Sequence, residues 1–125
     1  MEILRKKELK TKTLPGRIIT DAVGDNSPIL SEEMTVGFAK YCAEAGPMTP
    51  HHHAEESIYV MNADRAWVLY GPEQDDLPNR IELEAGMILH FPSGEWHVFQ
   101  YDEGGSLEII YLYGKSKDIP CVNNQ

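Results

Sequence analysis

The chain has 125 residues, enough for one domain with one core and too few for two. It is 42% hydrophobic and 25% charged with a net charge of −9, a soluble globular composition whose sign repels nucleic acid and anionic membrane. The charge is uneven: Arg5, Lys6, Lys7, Lys10 and Lys12 against Glu2 and Glu8 give residues 1–13 a balance of +3, leaving −12 for the remainder. Two distant cysteines, Cys42 and Cys121, make neither a disulfide framework nor a zinc thiolate site. The N-terminus is charged throughout, unlike a secretory signal, and no apolar run approaches the length of a membrane span. The expected compartment is a reducing cytoplasm.

Residues 1–15 are polar and end on Leu14-Pro15-Gly16, a turn signal, so they read as an edge strand or a dimer arm. Residues 17–23 (RIITDAV) have strand length and β-branched side chains. A loop follows at 24–28, and Leu30-Ser31-Glu32-Glu33 could cap a single helical turn. Residues 34–42 read as a strand in which Gly37 marks a bulge or a close backbone contact. Residues 44–50 form a Gly/Pro loop. Residues 57–61 and 65–70 read as the two strands of a hairpin that turns at Asn62-Ala63-Asp64. After an acidic loop at 71–78, residues 80–84 alternate as a half-exposed strand. Residues 87–91 (MILHF) are apolar on both faces apart from His90, which predicts a buried strand with His90 hydrogen-bonded inside. Residues 96–101 and 107–113 read as strands joined by a DEGG hairpin loop. From Gly114 the chain is polar, and Pro120 argues against a long helix there. About eight short strands, closely spaced turns and no amphipathic helix predict an all-β sandwich or barrel. The expected layout is an arm over 1–15, a barrel over 16–114 and a polar tail over 115–125.

The chemistry concentrates between residues 51 and 56, HHHAEE, where three histidines and two glutamates occupy six positions. Neutral imidazole and ionised carboxylate are the usual ligands of divalent transition metals. Histidines two apart on a strand share a face, which pairs His51 with His53. Strand parity selects Glu56, because Glu56, Ile58 and Val60 then line the interior while Ser57 and Tyr59 face outward. Two alternatives remain at this point: His52 with Glu56, and Glu55 in place of Glu56. A further ligand must come from elsewhere, and His97 in GEWHVF is the best candidate. His90 is a weaker one. Phe99 and Tyr101 share parity with His97 and are candidate pocket residues; Trp96 has the opposite parity.

The passage from Gly86 to His97 resembles the second motif of the cupin superfamily: a glycine, five residues, Pro-x-Gly, two residues, then histidine. Gly86, Pro92, Gly94 and His97 occupy the four positions. Tyr101 stands where the family usually has asparagine. The first cupin motif is followed more loosely: Gly46 lies one residue closer to His51 than usual, two residues separate His53 from Glu56, and Ala63 replaces a glycine. The resemblance covers roughly residues 36–113. It implies a cupin-type jelly-roll β-barrel with the motif histidines in its mouth and one divalent ion, Mn, Fe, Co, Ni or Zn, on His51, His53, Glu56 and His97. It also implies a homodimer, as does the apolar character of 87–91 and 107–113 on both faces. The function expected is a metal-dependent enzyme on a small organic molecule, of dioxygenase, isomerase or lyase type. A binding or sensor module without turnover is the alternative. The partner in either case is a small molecule, not nucleic acid or membrane.

Overall fold

The computed structural model describes residues 1–114, so Pro120, Cys121 and the predicted tail lie outside the described residues. Eight strands follow in order: β1 (Lys12–Leu14), β2 (Arg17–Gly24), β3 (Ile29–Leu30), β4 (Thr35–Cys42), β5 (Glu56–Gly71), β6 (Asn79–Glu82), β7 (Ile88–Phe91) and β8 (Trp96–Tyr113). Two single 3-10 turns, Lys6–Glu8 and Ala43–Ala45, are the only helical elements among the described residues. No helix is long and apolar enough to cross a membrane. The all-β expectation is met. The sheet runs β1-β2-β4-β8-β5-β6, with β7 also on β5 and β3 beside β2.

Two expected hairpins are absent. Residues 57–61 and 65–70 belong to one strand of 16 residues, β5, and residues 96–101 and 107–113 to one of 18, β8. These long strands pair with each other, antiparallel, from Glu56↔Tyr113 to Gly71↔Trp96. The turn-like residues mark a bulge shared by both strands. The register passes from Asp64↔Ser106 to Ala66↔Tyr101, so Arg65 alone faces residues 102–105. Arg65 adopts φ +52°, Gly104 adopts φ +80°, and the Arg65 guanidinium donates to the Asp64 carboxylate at 3.0 and 3.1 Å and to the Glu103 carbonyl at 3.1 Å. Turn chemistry here kinks a continuous ladder instead of reversing the chain.

The kink folds the β5–β8 pair over on itself. Flat strands would carry His97 and Tyr113, sixteen residues apart, roughly 50 Å from each other. Glu56 pairs with Tyr113, yet its carboxyl oxygen lies 3.7 Å from His97 Nε2. One half of the pair carries β7 and, through β8, β4 and β2; the other carries β6. Between the halves sits the core: Ile58, Val60, Leu107 and Ile109 from one, Val68 and Phe99 from the other. Each of these fully buried side chains stabilises the fold by roughly 1.5–3 kcal/mol relative to exposure.

Smaller expectations also change. Ser31 Oγ accepts from the backbone of Glu33 and Met34, as a helix cap would, but no helical turn follows, because Ile29 and Leu30 pair with β2. Residues 88–91 are not buried on both faces: Ile88 is 75% exposed and His90 lies at the surface, bonded to Ser57 and Glu55. β7 covers one edge of β5, and none of the described residues lies over its outer face.

The bulge between β2 and β4 falls after Asp21 on β2, while Gly37 on β4 provides the close contact. Gly37 pairs with Tyr111, whose phenol lies across it where a Cβ would stand. Gly37→Ala should therefore cost about 1–3 kcal/mol through overpacking. Urea unfolding checks this, and the double variant Gly37→Ala/Tyr111→Ala should lose less than the sum of the single losses. An unchanged midpoint for Gly37→Ala would refute the contact.

Candidate metal centre

Three segments converge at one end of the fold. His51 forms an isolated antiparallel bridge with His97, the two backbones exchanging hydrogen bonds at 3.0 and 2.9 Å. Gly94, in the turn before β8, donates to the His53 carbonyl at 3.0 Å. Glu56 is the first residue of β5. The Met48 sulfur accepts from Phe99 N–H, which fastens the preceding loop to β8. The Pro-x-Gly turn and the histidine loop thus hold one another by backbone bonds, independent of their side chains.

His51, His53 and His97 are buried, and each offers a ring nitrogen within 4.8 Å of the others. Glu56 is equally buried, with Oε1 3.2 Å from His53 Nε2 and 3.7 Å from His97 Nε2. His53 Nδ1 donates to the Ala54 carbonyl at 3.2 Å and His97 Nδ1 to the Glu95 carbonyl at 3.3 Å. In those tautomers both Nε2 atoms carry a bare lone pair, and both point toward Glu56. Backbone orientation of a ligating histidine is the usual outer support of a metal site. Phe91 stacks on the His97 ring at 4.0 Å and 13°, limiting its rotation.

Burial keeps all four groups neutral. It pushes His53 down to about 4 and His97 down to about 3, with the neighbouring His53 adding to the effect on His97. It drives His51 well below the ordinary histidine range, assisted by His97 and His53. It pushes Glu56 up to about 8. The 3.2 Å approach of His53 and Glu56 is therefore a contact between neutral groups and not an ion pair. Glu56 Oε1 and His97 Nε2 are buried without a hydrogen-bond partner. Buried polar atoms left unsatisfied are costly, and a cation among them removes that cost by accepting their lone pairs. Imidazoles and a carboxyl with no thiolate fit a borderline divalent ion such as Mn, Fe, Co, Ni or Zn.

His51, Glu56 and His97 face a cavity of about 400 Å³. Its walls include Arg17 from β2, Tyr41 from β4, Phe99 from β8, and Tyr111 and Tyr113 further along β8. Exposed Lys12, Asp25 and Asn26 stand at its mouth. The His53 ring lies 5.2 Å from that of Tyr113. His52 turns away and packs on Trp96 at 4.3 Å; both lie outside the cavity. Glu55 points outward to His90 at 2.7 Å. Tyr101 lines a second hollow with Met48 and Trp67, and its hydroxyl donates to the Gly46 carbonyl. Phe99 separates the two hollows. Tyr41 and Tyr111 escaped the sequence reading. Parity assigns both an inward direction, but an inward tyrosine in a core and one in a cavity wall have the same pattern.

No family model and no curated protein matches the sequence. Solved structures do share its architecture. The polyketide cyclase RemF from Streptomyces resistomycificus superposes with a TM-score of 0.74 at 19% identity, over 100% of this chain and 86% of that one. The DMSP lyase DddQ from Ruegeria pomeroyi superposes with a TM-score of 0.69 at 16% identity, over 98% of this chain and 59% of that one. The oxalate decarboxylase of Lactobacillus farciminis, solved as a formate complex, gives 0.68 at 14%, over 94% of this chain and 34% of that one. The chain thus spans only part of the length of the latter two. At such identities the likeness shows the fold alone: this chain is a small protein of the cupin fold.

Proposed function

We propose that the protein is a metal-dependent enzyme acting on a small organic molecule, with one divalent transition-metal ion held by His51, His53, Glu56 and His97. The observation that carries this reading is the buried convergence of bare His53 Nε2, bare His97 Nε2 and Glu56 Oε1 beside a cavity with room for a ligand. A bound ion would supply Lewis acidity toward a substrate oxygen. The chain itself supplies proton-bearing walls. Burial, then the neighbouring Glu56, raises Tyr41; burial, then Tyr113, raises Tyr111. Both phenols stay protonated at neutral pH and act as donors, not bases. Among the lining residues, Lys12 and Asn26 are exposed and mark the side on which the cavity meets solvent. The cyclase, lyase and decarboxylase among the structural neighbours support turnover over passive holding.

Elemental analysis of protein purified without a His-tag or chelating resin should show close to one ion per chain. His97→Ala should weaken metal affinity by more than the roughly 10–100-fold that loss of an outer-shell partner costs. His52→Ala should bind like the parent, because His52 lies against Trp96. Chelator competition measures both, with circular dichroism confirming the fold. A His97→Ala protein that binds like its parent would remove the centre from this place.

The metal-free protein should be most stable near pH 6.5. Unfolded histidines titrate near 6.5, whereas in the fold His53 and His97 titrate at about 4 and 3. As pH falls below 6.5 the unfolded chain takes up protons that the fold refuses, so stability drops. Glu56 acts in the opposite sense: its raised pKa contributes stability below the unfolded value of 4.5, lost as pH rises to about 8. Between 4.5 and 6.5 the histidines outnumber it; above 6.5 it acts alone. Thermal unfolding of chelator-treated protein at about pH 5, 6.5 and 8 should trace this maximum. Glu56→Gln should abolish the alkaline decline only. Equal midpoints at all three values would contradict the neutral site.

We also propose a homodimer through the outer face of β7, β5 and β8. Tyr59 pairs with Ile88 and with Ile110, and Leu112 lies in the next row; Tyr59, Ile88 and Leu112 are all exposed. An apolar row of this kind marks an interaction surface. Light scattering should give twice the 14.1 kDa chain mass, and Ile88→Lys should halve it. A monomeric parent would sink the proposal.

A further inference from the structure

We infer that His90 is a positioning residue of the metal centre: its imidazole holds the side chains on both sides of Glu56 and thereby fixes the direction in which that carboxyl points. The inference rests on the metal reading of the cluster and adds to it a residue outside the cavity.

Glu56 is the first residue of β5, and Glu55 before it belongs to no strand. Its Oε1 is buried without a hydrogen-bond partner, so the position of that atom is inherited from the backbone that carries it. Glu55 and Ser57 flank Glu56 and, by alternation, turn to the opposite face. There the His90 ring meets both: Nδ1 lies 2.8 Å from Ser57 Oγ, and Nε2 lies 2.7 Å from Glu55 Oε2. A neutral ring that accepts from Ser57 at Nδ1 donates to Glu55 from Nε2, and a protonated ring donates at both nitrogens. Either form makes both bonds, so the clamp does not depend on which one is present.

Register places His90 there. It pairs with Ser57, and the next residue of β7, Phe91, pairs with Glu56 itself. Phe91 is buried and stacks on the His97 ring at 4.0 Å. Two adjacent residues of β7 thus serve two ligands from opposite faces of the strand. Phe91 touches His97 directly, and His90 acts on Glu56 through its neighbours. Both nitrogens of His90 are engaged on the outer face, so it is not itself a ligand of the same ion. The side chains of His90 and Glu55 are 53% and 68% exposed, and an exposed pair of this kind contributes little to global stability. Its consequence is therefore expected in the geometry of one ligand, not in folding.

The test uses the full chain, stripped with chelator and reloaded with Co(II), whose visible absorption reports the ligand set and its geometry. Chelator competition gives the affinity, and circular dichroism confirms the fold. His90→Ala should bind Co(II) about tenfold more weakly than the parent, the low end of what an outer support costs, and with an altered spectrum. In a Glu56→Ala background the same substitution should change neither affinity nor spectrum, because the ligand it acts through is gone. His90→Gln keeps a donor toward Glu55 and should recover part of the loss. Should His90→Ala misfold, Glu55→Ala and Ser57→Ala release the clamp from either end. Each should then weaken binding by a smaller factor in the parent and by none in the Glu56→Ala background. The inference is overturned if these variants bind Co(II) like the parent, or if they cost the same factor with and without Glu56, which would make His90 a general support of the fold. Parent protein that takes up no Co(II) sinks the metal reading and this inference with it; a parent that binds while the variants are silent sinks the inference alone.

Discussion

The site exists because the β5–β8 ladder is folded over at Arg65. Antiparallel pairing alone places Glu56 and His97 at opposite ends of the ladder, one opposite Tyr113 and the other opposite Tyr70. The bulge at Arg65 and residues 102–105 lets the two halves face each other, and only then do the first residues of both strands meet. The same fold creates the core, since Phe99 from one half packs on Tyr41 beside the other at 4.9 Å. Core and site are thus consequences of one kink. Its pieces are ordinary turn chemistry: a left-handed arginine, a left-handed glycine and a guanidinium tied to the passing backbone.

A second constraint is electrostatic. Three imidazoles and a carboxyl are buried together with too few hydrogen-bond partners, which disfavours the metal-free fold. The protein accommodates them by holding all four neutral. This arrangement orients lone pairs inward and is poised for a cation, because neutral histidine is already the ligating form. Only Glu56 must release a proton. The cluster thus costs stability as it stands, and a cation taken up among its lone pairs would remove that cost, with backbone carbonyls at Ala54 and Glu95 setting the tautomers.

The cavity draws its walls from two kinds of segment. The histidine cluster and Glu56 come from the segments that the two cupin-like motifs supply. Arg17 and Tyr41 come from β2 and β4, outside both motifs, and Tyr111 from the return half of β8. In a fold shared by proteins with different activities, the elements outside the histidine-bearing motifs can vary without disturbing the cluster.

The sequence by itself determined the all-β class, the position of most strands and the grouping of His51, His53, Glu56 and His97, because side-chain alternation and histidine spacing are local properties. Glu56, Ile58 and Val60 inside with Tyr59 outside is a pattern readable in five residues. Only the tertiary structure decided what the turn-like residues at 62–64 and 102–105 do. Asparagine, aspartate and glycine favour a reversal and a bulge through the same backbone angles, and the choice depends on whether a long partner strand is present. Pairing between β5 and β8 spans forty or so residues of sequence, so no window contains it. Likewise the exposure of Ile88 and His90 depends on what covers β7, and nothing among the described residues does. The placement of Arg17 beside the histidines, and of Tyr101 away from them, follows from the curvature of the closed sheet. Parity gives a side chain its face; only closure says which part of the interior that face meets.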